Sequence, residues 1–289
     1  MADVLFLGTG GGRVNLMRQL RGTGGFLILG KALTIHVDPG PGALFSLLKY
    51  GQDPLSTDAL IATHAHVDHV HDAALIIEGM AGYMLEKKGA VLASKSVLEG
   101  DENGDRSISI YHQSKLSQKT ILAPHDKKEI TIEKKSKDGP SSASFSILAT
   151  PVKHEDPSGF GFVLGIDGAK IGYTSDTEYF PGLSKHFEGC DVLIANNIKG
   201  ADDPYEGHLN SATTAKLLSE AKPKFAILSH FGMKLILSGP EIEAKAVEKM
   251  SGVPTYAARE GQYFCTDRCG WFKAEPTPKE KLQKSLFDG

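Results

Sequence analysis

Three histidines and a carboxylate stand within six residues in Thr63-His64-Ala65-His66-Val67-Asp68-His69. Neutral imidazole and carboxylate are the usual ligands of a borderline divalent cation such as Zn²⁺. His64 and His66 alternate, so on an extended segment they point to the same side. A tight turn after them would swing Asp68 and His69 toward a second point nearby. The apolar run 59–62 leads straight into the cluster and places it at a strand end. Imidazoles at this density have little structural use, because charged they repel and buried without partners they are costly. A solvated histidine-rich loop is the plain alternative, and it suits a lone histidine far better than this set.

One cluster cannot close two coordination shells, so further ligands are expected at other strand ends. His154 follows the strand-like run 145–151, Asp176 follows 170–173, and His230 follows 225–228. Each alone is more often an ordinary polar strand end. Together with the cluster they form a set.

The elements that must position this set are legible in outline. The chain has 289 residues, 40% hydrophobic and 23% charged, an ordinary globular balance with enough length for a large core. Segments 4–7, 26–29, 33–37, 59–62 and 90–93 read as buried strands, with helices over 43–50 and 70–85. After residue 176, strands 192–195, 225–228 and 255–258 alternate with helices 210–221 and 240–250. Asn210 or Ser211 suits an N-cap, and Pro240 suits a first turn. The run Gly165-Ile166-Asp167-Gly168 reads as a hairpin turn. Polar stretches 99–106 and 134–142 read as loops. Two mixed sheets packed face to face with helices outside would explain both halves as one domain over residues 1–274, followed by a charged tail over 275–289.

Other features bound the function. The net charge of −3 gives no basic excess of the kind a tight polyanion binder shows. No apolar run reaches the ~18 residues of a membrane span. The N-terminal residues read as a strand rather than a secretory signal. Three cysteines, Cys190, Cys265 and Cys269, form no disulfide framework and suit a reduced, cytoplasmic setting. The spacing of Cys265 and Cys269 is weak evidence for a metal or redox site.

With the intact motif His-x-His-x-Asp-His at 64–69 and His154, Asp176 and His230 in order behind it, the chain resembles the metallo-β-lactamase superfamily. The resemblance runs from Phe6-Leu7-Gly8-Thr9-Gly10 through Val37-Asp38-Pro39-Gly40 to a closing strand near 256–261. It implies an αββα sandwich with two divalent metal ions at one edge of the sheets, Zn²⁺ first and Mn or Fe as alternatives. His64, His66 and His154 would hold one ion, Asp68, His69 and His230 the other, and Asp176 would bridge them. Asp68 would also orient the attacking water. Asp38 resembles the carboxylate that fixes a ligand histidine from behind, with a turn-capping role as its alternative.

Within the superfamily, the opening Leu7-Gly8-Thr9-Gly10-Gly11-Gly12-Arg13 and the segment Glu206-Gly207-His208-Leu209-Asn210 are similar to ribonuclease Z and to phosphodiesterases of phosphonate catabolism. The glycine-rich loop could hold a phosphate or simply make a tight turn. His208 is the candidate contact to the leaving group and its proton donor. Ser211, Thr213 and Thr214, with free N–H groups at the helix start, would suit an anion. True ribonuclease Z carries a long tRNA-binding arm, commonly between the third histidine and the bridging aspartate, and the interval from His154 to Asp176 leaves no room for one. A small phosphodiester, nucleotide-like or cyclic, is therefore the expected partner, with tRNA and membranes set aside and a homodimer open. The alternatives are a glyoxalase-like thioesterase, a ribonuclease acting on RNA, and a non-catalytic nucleic-acid binder. Lys115, Lys119 and His112 lie in the interval between His69 and His154, whose loops could cover the site, and most such residues are merely solvated.

Overall fold

Four consecutive buried residues make up β4 (Ala59–Ala62), and a strand buried on both faces must lie between two layers. That is its place in the computed structural model, which describes residues 2–100, 104–136, 139–268 and 270–273. Two mixed sheets stack face to face. The first has the order β16 (Gly270–Lys273), β15 (Gln262–Cys265), β1 (Asp3–Phe6), β2 (Phe26–Leu29), β3 (Thr34–Val37), β4, β5 (Ala90–Ala93) and β6 (Gln118–Ile121). The second has the order β14 (Thr255–Ala257), β13 (Phe225–Ser229), β11 (Val192–Lys199), β10 (Ala169–Tyr173), β9 (Phe160–Ile166), β8 (Gly139–Pro151) and β7 (Lys127–Ser136), with the short β12 (Leu209–Asn210) paired to β11. Strands β3 to β6 run parallel, as do β10, β11, β13 and β14.

Helices cover both outer faces. On the first sheet lie α2 (Ala43–Lys49), α3 (Val67–Val70), α4 (Ala73–Met80), α5 (Lys95–Leu98) and α6 (Ile110–Ser114); on the second lie α7 (Ser211–Ala221), α8 (Met233–Ser238) and α9 (Pro240–Ser251); α1 (Gly12–Arg18) touches α3 of one layer and α8 of the other. The layers are therefore helix, sheet, sheet, helix, the αββα sandwich expected from the sequence. Between the sheets, Phe6, Phe26, Ile61, Phe162, Tyr173 and Ile194 form the central core. Leu47, Ile76 and Ile77 seal one helical layer, and Leu217, Leu218 and Val247 seal the other. Each such side chain contributes about 1.5–3 kcal/mol by leaving water. Asn210 caps α7 through a reciprocal pair with Thr213, and Pro240 opens α9.

Several local expectations change. Residues 134–142 are not a loop, because β7 and β8 continue as a hairpin through most of that stretch. The Lys and Ser content belongs to an edge strand, where charge discourages pairing with other chains. The helix expected over 70–85 is two pieces: the Asp72 N–H turns to the Pro39 carbonyl at 2.9 Å, and α4 ends before Gly82, Tyr83 and Met84, all at positive φ. Strand 192–195 extends through two buried asparagines to Lys199. The chain does not close near 261 but returns as β15 and β16 to extend the first sheet beside β1. The turn at 165–168 is a hairpin turn, with Asp167 and Gly168 at φ 51° and 80°. Cys265 is buried in β15, while Cys269 and the segment 275–289 lie outside the described residues. No described helix is long and apolar enough to cross a membrane.

Candidate metal centre

The carboxyl ends of β3, β4, β8, β10 and β13 open onto one rim of the sandwich, where ligands sit in open α/β sheets. The chain leaves β4 extended through His64 and His66, then turns into α3, which carries Asp68 and His69. His154 follows β8, Asp176 follows β10, His208 precedes β12, and His230 follows β13. Asp38, Ser175 and His230 adopt left-handed backbone angles of 48°, 53° and 59°. Such angles in non-glycine residues persist only where the surroundings impose them, and they gather at functional sites. Glycine permits the close approaches. A Cβ at Gly11 would fall 2.2 Å from Nδ1 of His230, and one at Gly40 would fall 2.0 Å from the Asp68 carbonyl.

The seven residues converge. His64, His66, His154 and Asp176 offer ligand atoms that all lie within 4.8 Å of one another, as do those of Asp68, His69 and His230, and those of Asp176, His208 and His230. One atom is common ground. Oδ2 of Asp176 lies 3.9 Å from Nε2 of His64, 3.2 Å from Nε2 of His69, 3.9 Å from Nε2 of His154, 3.7 Å from Nδ1 of His208 and 3.3 Å from Nε2 of His230. Asp68 Oδ2 is 3.4 Å from Nε2 of His230 and accepts from the Gly12 N–H at 3.1 Å. His66 turns Nδ1 toward His154 at 3.1 Å, leaving its Nε2 3.4 Å from Glu155.

A second layer of groups fixes the rings. Asp38, buried, meets Nδ1 of His69 at 2.9 Å and accepts from the Thr63 N–H and hydroxyl, both at 2.8 Å, and from the Tyr173 hydroxyl at 3.0 Å. Of its two expected roles, the backing of a ligand histidine is therefore the one its geometry supports. Nδ1 of His154 donates to the Gly207 carbonyl at 2.9 Å, and Asn196 donates to Oδ1 of Asp176 at 2.7 Å.

Electrostatics favour a cation. Burial, reinforced by His69 and the other neighbouring imidazoles, holds His64 well below its ordinary pKa, and burial lowers His66 in the same way. Burial also lowers His208 to about 4. All three rings are neutral at pH 7, and His64 and His66 keep lone pairs for a metal. Burial alone would raise Asp68 and Asp176, but the facing histidines outweigh it and keep both ionised. Burial would lower His69, yet the Asp176 and Asp38 carboxylates raise it above its ordinary value. Nε2 of His64, one of the proposed ligand atoms, is buried with no hydrogen-bond partner. An orphaned buried nitrogen is expensive unless something binds it, so the residues fit a metal.

Comparison with known proteins agrees with this geometry. The family model described as "Beta-lactamase superfamily domain" matches residues 34–231. The chain belongs to the metallo-β-lactamase superfamily. It is 38% identical over 261 residues to "Uncharacterized protein MJ1374" of Methanocaldococcus jannaschii, covering 90% of this chain and 93% of that one. It is 23% identical over 286 residues to "Ribonuclease Z" of Metallosphaera sedula, covering 88% of this chain and 97% of that one. Among solved structures, a diphosphatase from the PhnP family superposes with a TM-score of 0.64 at 14% identity, covering 91% of this chain and 97% of that one. At that identity the likeness speaks for the fold.

This metallo-β-lactamase chain is thus a hydrolase of the superfamily with a His/Asp cluster able to hold metal, and three expectations around the cluster need correction. The start of α7 is not a free anion site. Asn210 caps Thr213 N–H at 2.9 Å, and Ser211 and Thr214 bond Asn197 at 3.0 and 2.7 Å. The glycine-rich opening offers no free cradle for a phosphate at Gly10, Gly11 and Gly12, whose N–H groups are taken by the Gly22 and Phe231 carbonyls and by Asp68. His112 lies 3.4 Å from Glu78 and Lys119 bonds Gln113, so the described partners of both are away from the rim. Sequence reasoning also missed Thr63, Tyr173, Asn196, Gly207 and Glu155. One signal was available: β11 is buried along its length but carries two adjacent asparagines, and buried amides need partners.

Proposed function

We propose that this chain is a metal-dependent phosphodiesterase whose two divalent cations serve a small nucleotide-like or cyclic phosphodiester. The observation that carries the reading is the placement of one carboxylate oxygen, Asp176 Oδ2, within 3.9 Å of nitrogens from five histidines. His64, His66 and His154 would hold one cation, Asp68, His69 and His230 the other, with Asp176 between them. The imidazole-rich donor set suits Zn²⁺ first, with Mn or Fe as alternatives. Two cations bound there would supply activated water at neutral pH and positive charge against the substrate oxygens.

The chain's own residues supply the rest. Asp68, held by the Gly12 N–H, has its carboxylate aimed into the site and orients water. His208 stands beside Asp176 with its ring 4.8 Å from His154 and 5.8 Å from His230. Neutral at pH 7, it contacts the leaving oxygen through an N–H, and an arriving phosphate anion raises its pKa toward proton donation. Support for a phosphate ester comes from the names of two relatives, a ribonuclease Z and a PhnP-family diphosphatase. A tRNA substrate fits poorly. The interval from His154 to Asp176 is spent on β9, β10 and their turns, and the net charge is −3.

The test is a side-by-side assay of bis-p-nitrophenyl phosphate, a 2′,3′-cyclic nucleotide, a thioester and a tRNA precursor. Hydrolysis of the small phosphodiesters, abolished by chelator and restored by Zn²⁺, is expected. Cleavage of the thioester alone, or of the tRNA precursor alone, would replace this reading with the corresponding alternative.

A further inference from the structure

Behind the rim, one hydrogen-bonded chain joins the two sheets. Asp176 belongs to the loop after β10 in the second sheet, and Asp38 to the loop after β3 in the first. Between them stand Tyr173, the last residue of β10, and Asn196 of β11, both about 3% exposed. The Tyr173 hydroxyl donates to Oδ2 of Asp38 at 3.0 Å. Its single hydrogen is then committed, so its oxygen must accept from Asn196, 3.0 Å away. That requirement turns the amide so that its NH₂ faces both Tyr173 and Oδ1 of Asp176, the latter at 2.7 Å. The backbone N–H of Asn196 is held by the Thr174 hydroxyl at 3.0 Å. The direction of every bond in the chain is therefore determined.

We propose that Asn196 and Tyr173 are positioning residues that select which oxygen of Asp176 faces the cations and tie it to the carboxylate behind His69. The inference rests on the two-cation reading above. A carboxylate on a freely rotating side chain presents either oxygen. Here Oδ1 is engaged by Asn196, and Oδ2 is the oxygen left for the ring of histidines. The far end of the same chain is Asp38, which fixes Nδ1 of His69 at 2.9 Å and so turns Nε2 toward Oδ2 of Asp176 at 3.2 Å. One relay thus sets both the oxygen of Asp176 left free for the cations and a histidine facing it, from opposite sheets. Groups behind metal ligands commonly matter 10–100-fold in metal affinity, and members of one hydrogen-bonded network couple rather than add.

Wild type, Asn196→Ala, Tyr173→Phe and the double variant are stripped with chelator and titrated with Zn²⁺ against a competing indicator. Wild type is expected to hold two equivalents. Asn196→Ala should bind the weaker one about 10–100-fold less tightly. Tyr173→Phe should shift it in the same direction by less, and the double variant should lie near Asn196→Ala rather than at the product of the two. The visible spectrum of the Co²⁺-loaded Asn196→Ala protein should differ from wild type. Wild-type Zn²⁺ affinities and cobalt spectra, with only a lowered melting temperature of the metal-free protein, would overturn the proposal, because that is the signature of a merely structural role. Fully multiplicative effects would overturn the coupling. Fewer than two equivalents in wild type would end the two-cation reading, and this inference with it. If Asn196→Ala does not fold, Tyr173→Phe alone decides the matter.

Discussion

The two halves of the candidate metal centre are built differently. The half formed by Asp68, His69 and His230 is enclosed: His69 is buried, Asp38 stands behind it and accepts four hydrogen bonds from His69, Thr63 and Tyr173, and Gly11 lets His230 press against the backbone. The half formed by His64, His66 and His154 is open on one side. The His66 side chain is 32% exposed, and its outer nitrogen faces Glu155, which is 69% exposed and itself lies 3.6 Å from the exposed Arg13. A buried carboxylate acts in low dielectric, whereas an exposed pair is screened and contributes ~0–1 kcal/mol. The enclosed half should therefore set affinity, and the open half should admit substrate. Asp176 belongs to both.

That contrast can be broken at its shared point first. Asp176→Ala should deplete both halves and lower hydrolysis on the order of 10³-fold or more, because a bridging ligand serves both cations. Full activity in a chelator-washed Asp176→Ala sample would refute the bridge. With His208 proposed to face substrate, His208→Ala should lower turnover about 10²-fold while metal content measured by plasma emission stays unchanged. Loss of metal would instead make His208 a ligand. The two supporting carboxylates should then separate. Asp38→Asn should weaken metal binding about 10–100-fold, and Glu155→Gln by less than about fivefold. Equal effects would erase the distinction between the halves.

A separate effect, on stability rather than activity, concerns the scaffold under the enclosed half. His36, on β3, is fully buried and donates to the Gly24 carbonyl at 2.9 Å, and burial lowers its pKa to about 4. Its folded pKa lies below its unfolded value of 6.5, so the unfolded chain takes up the proton first as pH falls. The stability associated with neutral His36 is intact above 6.5 and is lost between 6.5 and about 4. From pH 7.5 to 5 the loss is about 2 kcal/mol. Urea unfolding of metal-free wild type and His36→Gln should show the variant losing less by about that amount, and parallel pH profiles would contradict the assignment.

Much of the clustering was legible before the structure because candidate metal ligands stand out in a sequence. His64, His66, Asp68 and His69 are dense in sequence, and His154, Asp176 and His230 each end a readable strand. The apolar strands in both halves allowed two packed sheets, and the resemblance carried by the His-x-His-x-Asp-His motif implied the αββα layering. What stayed hidden depends on tertiary partners. Asn196 and Tyr173 look like ordinary strand residues until the facing sheet brings Asp38 to them. The edge hairpin of β7 and β8 has loop-like composition because edge strands are polar. Helix α1 is short and begins among glycines, and β16 closes a sheet only because β15 has already paired with β1.

The most direct test of the central claim is the number of divalent cations bound per chain after gentle purification and after saturation with Zn²⁺. The account predicts two, both lost together in Asp176→Ala. A single tightly bound cation at saturation, or phosphodiester hydrolysis that persists in excess chelator, would contradict it.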